Sequence, residues 1–158
     1  MATIEEYSGG TILAGIGKTL MYFDAVAGSV PRDEKFHHIL HKIDAFEPLI
    51  LTLGQAMEYI RRAEAIAIGE RVCRVLHPDS VCSESVFLDD LAVAMVRAGK
   101  AKNADAEDAR KSLEKSSGRP LIISRVSGKH QEICPSVPSE CVYWQAEKKG
   151  MRCLKRKA

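Results

Sequence analysis

Several features are absent from this sequence, and each absence argues against a class of protein. Charged residues interrupt the apolar runs well before they reach the length of a membrane span, so no membrane-spanning helix is predicted. The first ten residues contain Glu5 and Glu6 and lack a basic start followed by an apolar run, which argues against a signal peptide. We therefore expect a cytoplasmic protein that does not bind a membrane.

The chain also lacks a strong excess of either charge. Its formal net charge is +2, which is too small to predict nucleic-acid binding by itself. The C-terminal end is more basic than the rest and contains Lys148, Lys149, Arg152, Lys155, Arg156 and Lys157. This tail is either a surface for an acidic partner, a nucleic acid or an anionic cofactor, or a solvated terminus.

Familiar catalytic motifs are missing as well. Gly15–Thr19 reads GIGKT, but Ile12 stands where a phosphate-binding loop needs its first glycine. His37 and His41 share a helical face without the glutamate or third ligand of a metalloprotease. No Ser-His-Asp or paired-carboxylate arrangement can be assigned, so we expect no independent catalytic activity.

The length and patterning predict one domain, residues 1–158, with an α+β, mainly α fold. Residues 1–118 are expected to form a helical body. Its predicted helices cover 11–27, 32–46, 48–76, 84–98 and 104–116, because apolar residues recur there at helical spacing.

The pattern changes at Pro120. Residues 121–134 contain two extended runs around Ser127-Gly128, which predicts a small β-hairpin. A short helix over 139–149 is expected to follow. Residues 119–158 therefore form the hairpin and a cysteine-bearing C-terminal cap.

Cysteine is the residue type that most directly suggests chemistry. The chain has five cysteines and no C-x-x-C pair. Disulfides are unusual in the cytoplasm, so a metal or redox site is favoured over a disulfide framework. Cys134, Cys141 and Cys153 lie within twenty residues in the cap and are predicted to be three ligands of one site.

The fourth ligand would come from the helical body. Cys73 is preferred because it lies on a predicted helix, and rigid elements hold ligands better than loops. Cys82, in the following loop, is the alternative fourth ligand. His77 and His130 are nitrogen alternatives.

Irregular cysteine spacing favours an iron–sulfur cluster over zinc, because structural zinc sites usually contain close cysteine pairs. Cys134 is followed by Pro135, as in the last ligand of bacterial ferredoxin motifs. The predicted cofactor is a 4Fe-4S cluster, with zinc as the alternative. The predicted function is electron transfer, or a small subunit of a redox complex.

Two other functions stay open from the sequence. Helices 84–98 and 104–116 with the hairpin resemble a winged-helix arrangement, which would suit a metal-sensing DNA-binding regulator that uses Arg110, Lys111 and Lys115. A zinc-stabilised interaction module is the other. The expected partners are a protein redox partner or a second copy in a homo-oligomer, with nucleic acid less favoured.

Overall fold

A computed structural model describes residues 3–71, 76–82 and 84–157 of the chain. The helices are α1 (Ile4–Ser8), α2 (Thr11–Ala25), α3 (Glu34–Asp44), α4 (Leu53–Arg62), α5 (Asp89–Arg97), α6 (Ala106–Glu114) and α7 (Val142–Lys148). The strands are β1 (Leu49–Leu51), β2 (Ile66–Glu70), β3 (Glu84–Leu88), β4 (Ala101–Asn103), β5 (Leu121–Val126), β6 (Lys129–Pro135) and β7 (Lys155–Arg156).

All of these strands belong to one sheet, in the order β4-β2-β3-β6-β5-β1-β7. Neighbouring strands are antiparallel except β1 and β7, which run parallel. The prediction of a mainly helical fold with a small β-hairpin is therefore wrong, since a seven-stranded sheet organises a mixed α/β fold. The hairpin around Ser127-Gly128 does form, but as β5 and β6 at the centre of that sheet.

The error arises mainly between residues 48 and 76, where one long helix was predicted. The chain instead forms β1, then α4, then β2. Thr52 starts α4, since its side chain accepts from the backbone N–H of Gln55 and the Gln55 side chain accepts from Thr52 N. Periodicity alone cannot separate three- to five-residue apolar strands from parts of a helix. The predicted helix over 84–98 is likewise divided into β3 and α5.

The basic tail is part of this sheet. Lys155–Arg156 forms the edge strand β7, and Lys157 N donates to Ile50 O at 3.1 Å. The sheet thus joins β1–β4 from residues 1–118 with β5–β7 from residues 119–158. No helix among the described residues is long and apolar enough to cross a membrane.

Helices cover both faces of the sheet. On one face, α4 and α6 pack on strand residues Leu51, Val86, Leu88, Leu121, Ile123 and Ile133, and we call this the α4/α6 face. On the opposite face, α5 covers one end through Phe87 and Leu91. Helices α2, α3 and α7 form a separate apolar cluster beside it. We call this second face the cavity face, because an internal space lies there.

Candidate functional site

A cavity of about 370 Å³ lies between the cavity face of the sheet and the helices α1, α2, α3 and α7. The deeper part of its helical wall is mostly apolar and includes Ile12, Ile16, Ile39, Ile43 and Val142. Of the fifteen residues of α2, all of them described, only Phe23 is buried. Helix α2 therefore lies over the cavity more than it packs into the core.

The wall formed by the strands is different, because it is polar at several positions. Residues Ile122, Ser124, Glu132 and Cys134 line the cavity from β5 and β6, and we call this set the strand floor. Successive side chains of a strand point to opposite faces. The intervening residues Ile123 and Ile133 therefore face α4 and α6, where every strand side chain of the cluster is apolar.

Strand register places the two polar floor residues side by side. Ser124 pairs with Glu132 and Ile122 pairs with Cys134 across β5 and β6. Ser124 Oγ lies 2.8 Å from the Tyr143 hydroxyl, which reaches the floor from α7. Ser124 is 3% exposed and Glu132 is 6% exposed, so these groups are polar and shielded from water.

The Glu132 carboxyl is the most perturbed acid of the site. Burial raises its pKa to about 7, whereas the nearby hydroxyl groups of Ser85 and Ser124 and the charge of Arg71 act in the opposite direction. Burying a carboxyl is costly unless the group is paired or stays neutral. A carboxyl held in this way inside a cavity is a common feature of functional sites.

Arg71 lines the cavity at the end of β2 and is 1% exposed. Its Nε donates to Cys82 O at 3.1 Å, and its Nη2 donates to Ser80 Oγ at 2.7 Å. The same Nη2 forms an ion pair with Glu140 Oε1 at 2.9 Å. Arg71 therefore ties residues 80–82 to the loop before α7.

Two of the predicted ligand cysteines reach this cavity. Cys134 is partly buried on β6, and Cys141 is buried directly before α7. Both line the cavity. Burial raises the pKa of the Cys141 thiol to about 11, so this sulfur is protonated at neutral pH unless a metal displaces the proton.

The third cysteine of the cap lies in a different environment. Cys153 packs in the apolar cluster of α2, α3 and α7, and its Sγ lies 3.6 Å from Tyr143 O. Burial, followed by the charges of Glu147 and Asp44, raises its pKa to about 12. Cys141 contributes to the same shift, so these two thiols are near each other.

The fourth-ligand candidates are less directly placed. Cys73 lies within residues 72–75, outside the described part of the chain, and the preference for it over Cys82 stays a prediction. Cys82 is buried, and its carbonyl oxygen is the group that accepts from Arg71. Among the described residues, no group of three or more His, Cys, Asp and Glu side chains could hold a metal ion.

The histidines do not add a ligand set. His37 is exposed and packs edge-on against Phe36, with ring centres 5.3 Å apart, while His41 lies at the outer rim of the cavity. His130 Nε2 lies 3.0 Å from Glu47 O. His77 Nε2 is buried and has no hydrogen-bond partner among the described residues.

The winged-helix geometry predicted for a DNA-binding regulator is not formed. Helix α6 packs on the sheet through Ala109 and Leu113, and the hairpin has β3 and β1 on its two sides. Arg110 Nε donates to Glu114 at 3.0 Å, and Lys115 lies 3.8 Å from Glu84. DNA binding itself stays a prediction without that geometry.

Arg71, Ser124 and Glu132 were not identified from the sequence. A signal for the last two exists, because they stand at alternate positions on strands whose other positions are apolar. Because helices cover both faces of the sheet, such alternation places polar groups in the interior. A buried polar group usually has a hydrogen-bond partner or a functional role.

No family model, curated protein or solved structure matches this chain. Its function therefore has to be inferred from the cavity itself.

Proposed function

We propose that the protein binds a small organic molecule in the cavity between α2 and the strand floor. The observation that carries the proposal is the contrast between the two faces of β5 and β6. On one face Leu121, Ile123 and Ile133 pack in an apolar cluster, whereas the other face places Ser124 and Glu132 at the cavity. Protein interiors are close-packed, so a cavity with a few polar groups in its wall is typical of a binding site.

The cavity also has the right size and composition for a ligand. Small-molecule sites usually occupy about 300–1,000 Å³, with mostly apolar walls and a few convergent polar groups. This cavity, of about 370 Å³, lies near the lower end of that range. The apolar part of the ligand would contact α2 and α3, and its polar group would contact the strand floor.

Titration calorimetry with 1-octanol tests the proposal, because octanol combines an apolar chain with one hydroxyl group. We expect saturable binding that Ile122→Phe weakens, since the larger ring would occupy the cavity beside Cys134. Val93→Phe is the matched control, because Val93 lies on α5, is 40% exposed and does not line this cavity. Equal binding by both variants, or no saturable binding by the unmodified protein, would contradict the proposal.

An iron–sulfur cluster or zinc ion remains a second candidate. Cys134 and Cys141 line one cavity. Arg71 lines the same cavity, and Cys73 follows it by two residues in the sequence. Such a centre would serve electron transfer in the first case and structural stability in the second. Against it, no group of three or more His, Cys, Asp and Glu side chains among the described residues could hold a metal ion.

Anaerobic purification with metal and sulfide analysis separates these candidates. Iron and sulfide in equal amounts with a visible absorbance band would support the cluster, and stoichiometric zinc would support the zinc site. If the protein binds a cluster or zinc, Cys134→Ser should remove the metal. If the cavity instead binds an organic ligand, metal chelation should leave octanol binding unchanged. Absence of all three elements from the protein would reject the metal hypothesis.

A further inference from the structure

The buried carboxyl of Glu132 has no cation of its own among the described residues. No ion pair of the described chain includes it. The hydroxyl groups of Ser85 and Ser124 and the charge of Arg71 act on it, and Phe87 on β3 is its cross-strand partner. Buried carboxylates are usually paired with a positive charge, so the strand floor offers an unmatched acidic group.

The charge of Arg71 acts on Glu132, but Arg71 forms its ion pair with Glu140. The guanidinium donates to Glu140 at 2.9 Å, and to Ser80 and the Cys82 carbonyl as well. Among the described residues, this group thus contains one guanidinium and two carboxylates. One further positive charge would balance this group of three.

Other charged residues of the cavity lie at its outer rim. His41 and Lys42 are exposed at the end of α3, and Glu6 is partly exposed on α1. Water screens exposed charges strongly, so they influence the strand floor much less than the buried groups do.

Aromatic rings stand close to the same acidic group. Phe46 and Tyr143 both line the cavity and pack edge to face, with ring centres 6.4 Å apart. The Tyr143 hydroxyl contacts Ser124, the cross-strand partner of Glu132. Aromatic rings attract organic cations through their π faces, and this attraction is strongest where water is excluded.

On these grounds we propose that the ligand is a small apolar amine, whose protonated nitrogen pairs with Glu132 while its apolar part lies against α2 and α3. This inference rests on the proposed ligand-binding function and adds the charge of the ligand. It distinguishes the site from one for fatty acids or other anions, which the two carboxylates would repel.

Three ligands with the same chain test the charge: octylamine, 1-octanol and octanoate, titrated at pH 8 by calorimetry. The amine is protonated at this pH. We expect octylamine to bind about tenfold more tightly than octanol, and octanoate to bind most weakly, since a close buried charge pair contributes this much or more. This order of affinities in the unmodified protein tests the inference about ligand charge without the use of any variant.

Two variants locate the effect. Glu132→Gln keeps the size of the side chain but removes its charge, and should reduce octylamine binding about tenfold while octanol binding changes less than about twofold. Glu58→Gln is the matched control, because Glu58 lies on α4, is 56% exposed and does not line the cavity, and it should keep the preference for the amine.

The possible failures are distinguishable. If octanol and octylamine bind equally, or octanoate binds best, the inference is wrong while the ligand-binding function stands. An amine preference that Glu132→Gln leaves intact also rejects the inference. If none of the three ligands binds, the proposed function fails and the inference fails with it.

Discussion

Arg71 Nη2 and Glu140 Oε1 form an ion pair at 2.9 Å that joins the end of β2 to the loop before α7. Hydrogen bonds from Ser80 and Arg71 hold the pKa of Glu140 below its usual range, although burial acts in the other direction. The Arg71 side chain is 1% exposed and that of Glu140 is 19% exposed. This pair therefore differs from the exposed ion pairs of the surface.

Replacing Glu140 should destabilise the fold strongly. Glu140→Ala leaves the buried guanidinium without its counter-charge, and we expect a loss of about 3 kcal/mol in the free energy of unfolding. Urea unfolding at neutral pH measures it. Glu114→Ala is the control, because Glu114 contacts Arg110 at 3.0 Å with both side chains about half exposed. Its loss should be much smaller, because water screens an exposed ion pair, and equal losses would contradict the distinction.

Adjacent residues of β5 should lose different amounts of stability on the same enlargement. Ile123 is fully buried among the residues that face α4 and α6, so Ile123→Phe should overpack that cluster and cost about 2 kcal/mol. Ile122 lines the cavity, so Ile122→Phe can place its ring in open space and should cost less than about 1 kcal/mol. Chemical denaturation of both variants checks this, and a greater loss from Ile122→Phe would argue against the cavity.

Glu132 should make stability depend on pH. Its pKa is about 7 in the folded protein against a reference value of 4.5, so the folded state holds the proton more tightly. The free energy of unfolding should therefore fall as the pH rises from about 4.5 to about 7, by a change on the order of 3 kcal/mol. Above that range this contribution should remain constant.

Glu132→Gln isolates that effect, because glutamine cannot ionise and has nearly the same shape. The variant should be more stable than the unmodified protein at pH 8, and the difference should shrink towards pH 5. Urea titrations at several pH values give the comparison. A constant difference across this range would show that ionisation of Glu132 is not responsible.

Gly69 should tolerate no side chain. A Cβ atom at this position in β2 would contact Lys100 O and come within 2.9 Å of Ala101 Cα on the neighbouring strand β4. Gly69→Ala should therefore lower the melting temperature. Gly54→Ala is the control, because the nearest atom to its Cβ would be Thr52 Oγ1 at 3.8 Å. That substitution in α4 should raise stability slightly, by about 0.5 kcal/mol.

Sequence patterning was sufficient for the elements whose signals are local. The prediction of helices over 11–27, 32–46 and 104–116 is confirmed by α2, α3 and α6, and the turn at Ser127-Gly128 is confirmed as well. Both turn residues have positive φ, of 51° and 83°, as two-residue hairpins require. The helical interpretation of residues 48–76 was wrong, because strands as short as β1 become recognisable only through their partners.

The amino-acid sequence by itself determined these local features and pointed to Cys134 and Cys141 as groups that can do chemistry, but it did not single out Glu132. Only the tertiary structure decided which of them share a site. Strand register sets Ser124 beside Glu132, and the path of the chain brings Arg71 and Tyr143 to the same cavity. Both arrangements depend on contacts between residues far apart in the chain. No local spacing encodes such contacts. The pairing of strands and the packing of α2 over them create this cavity.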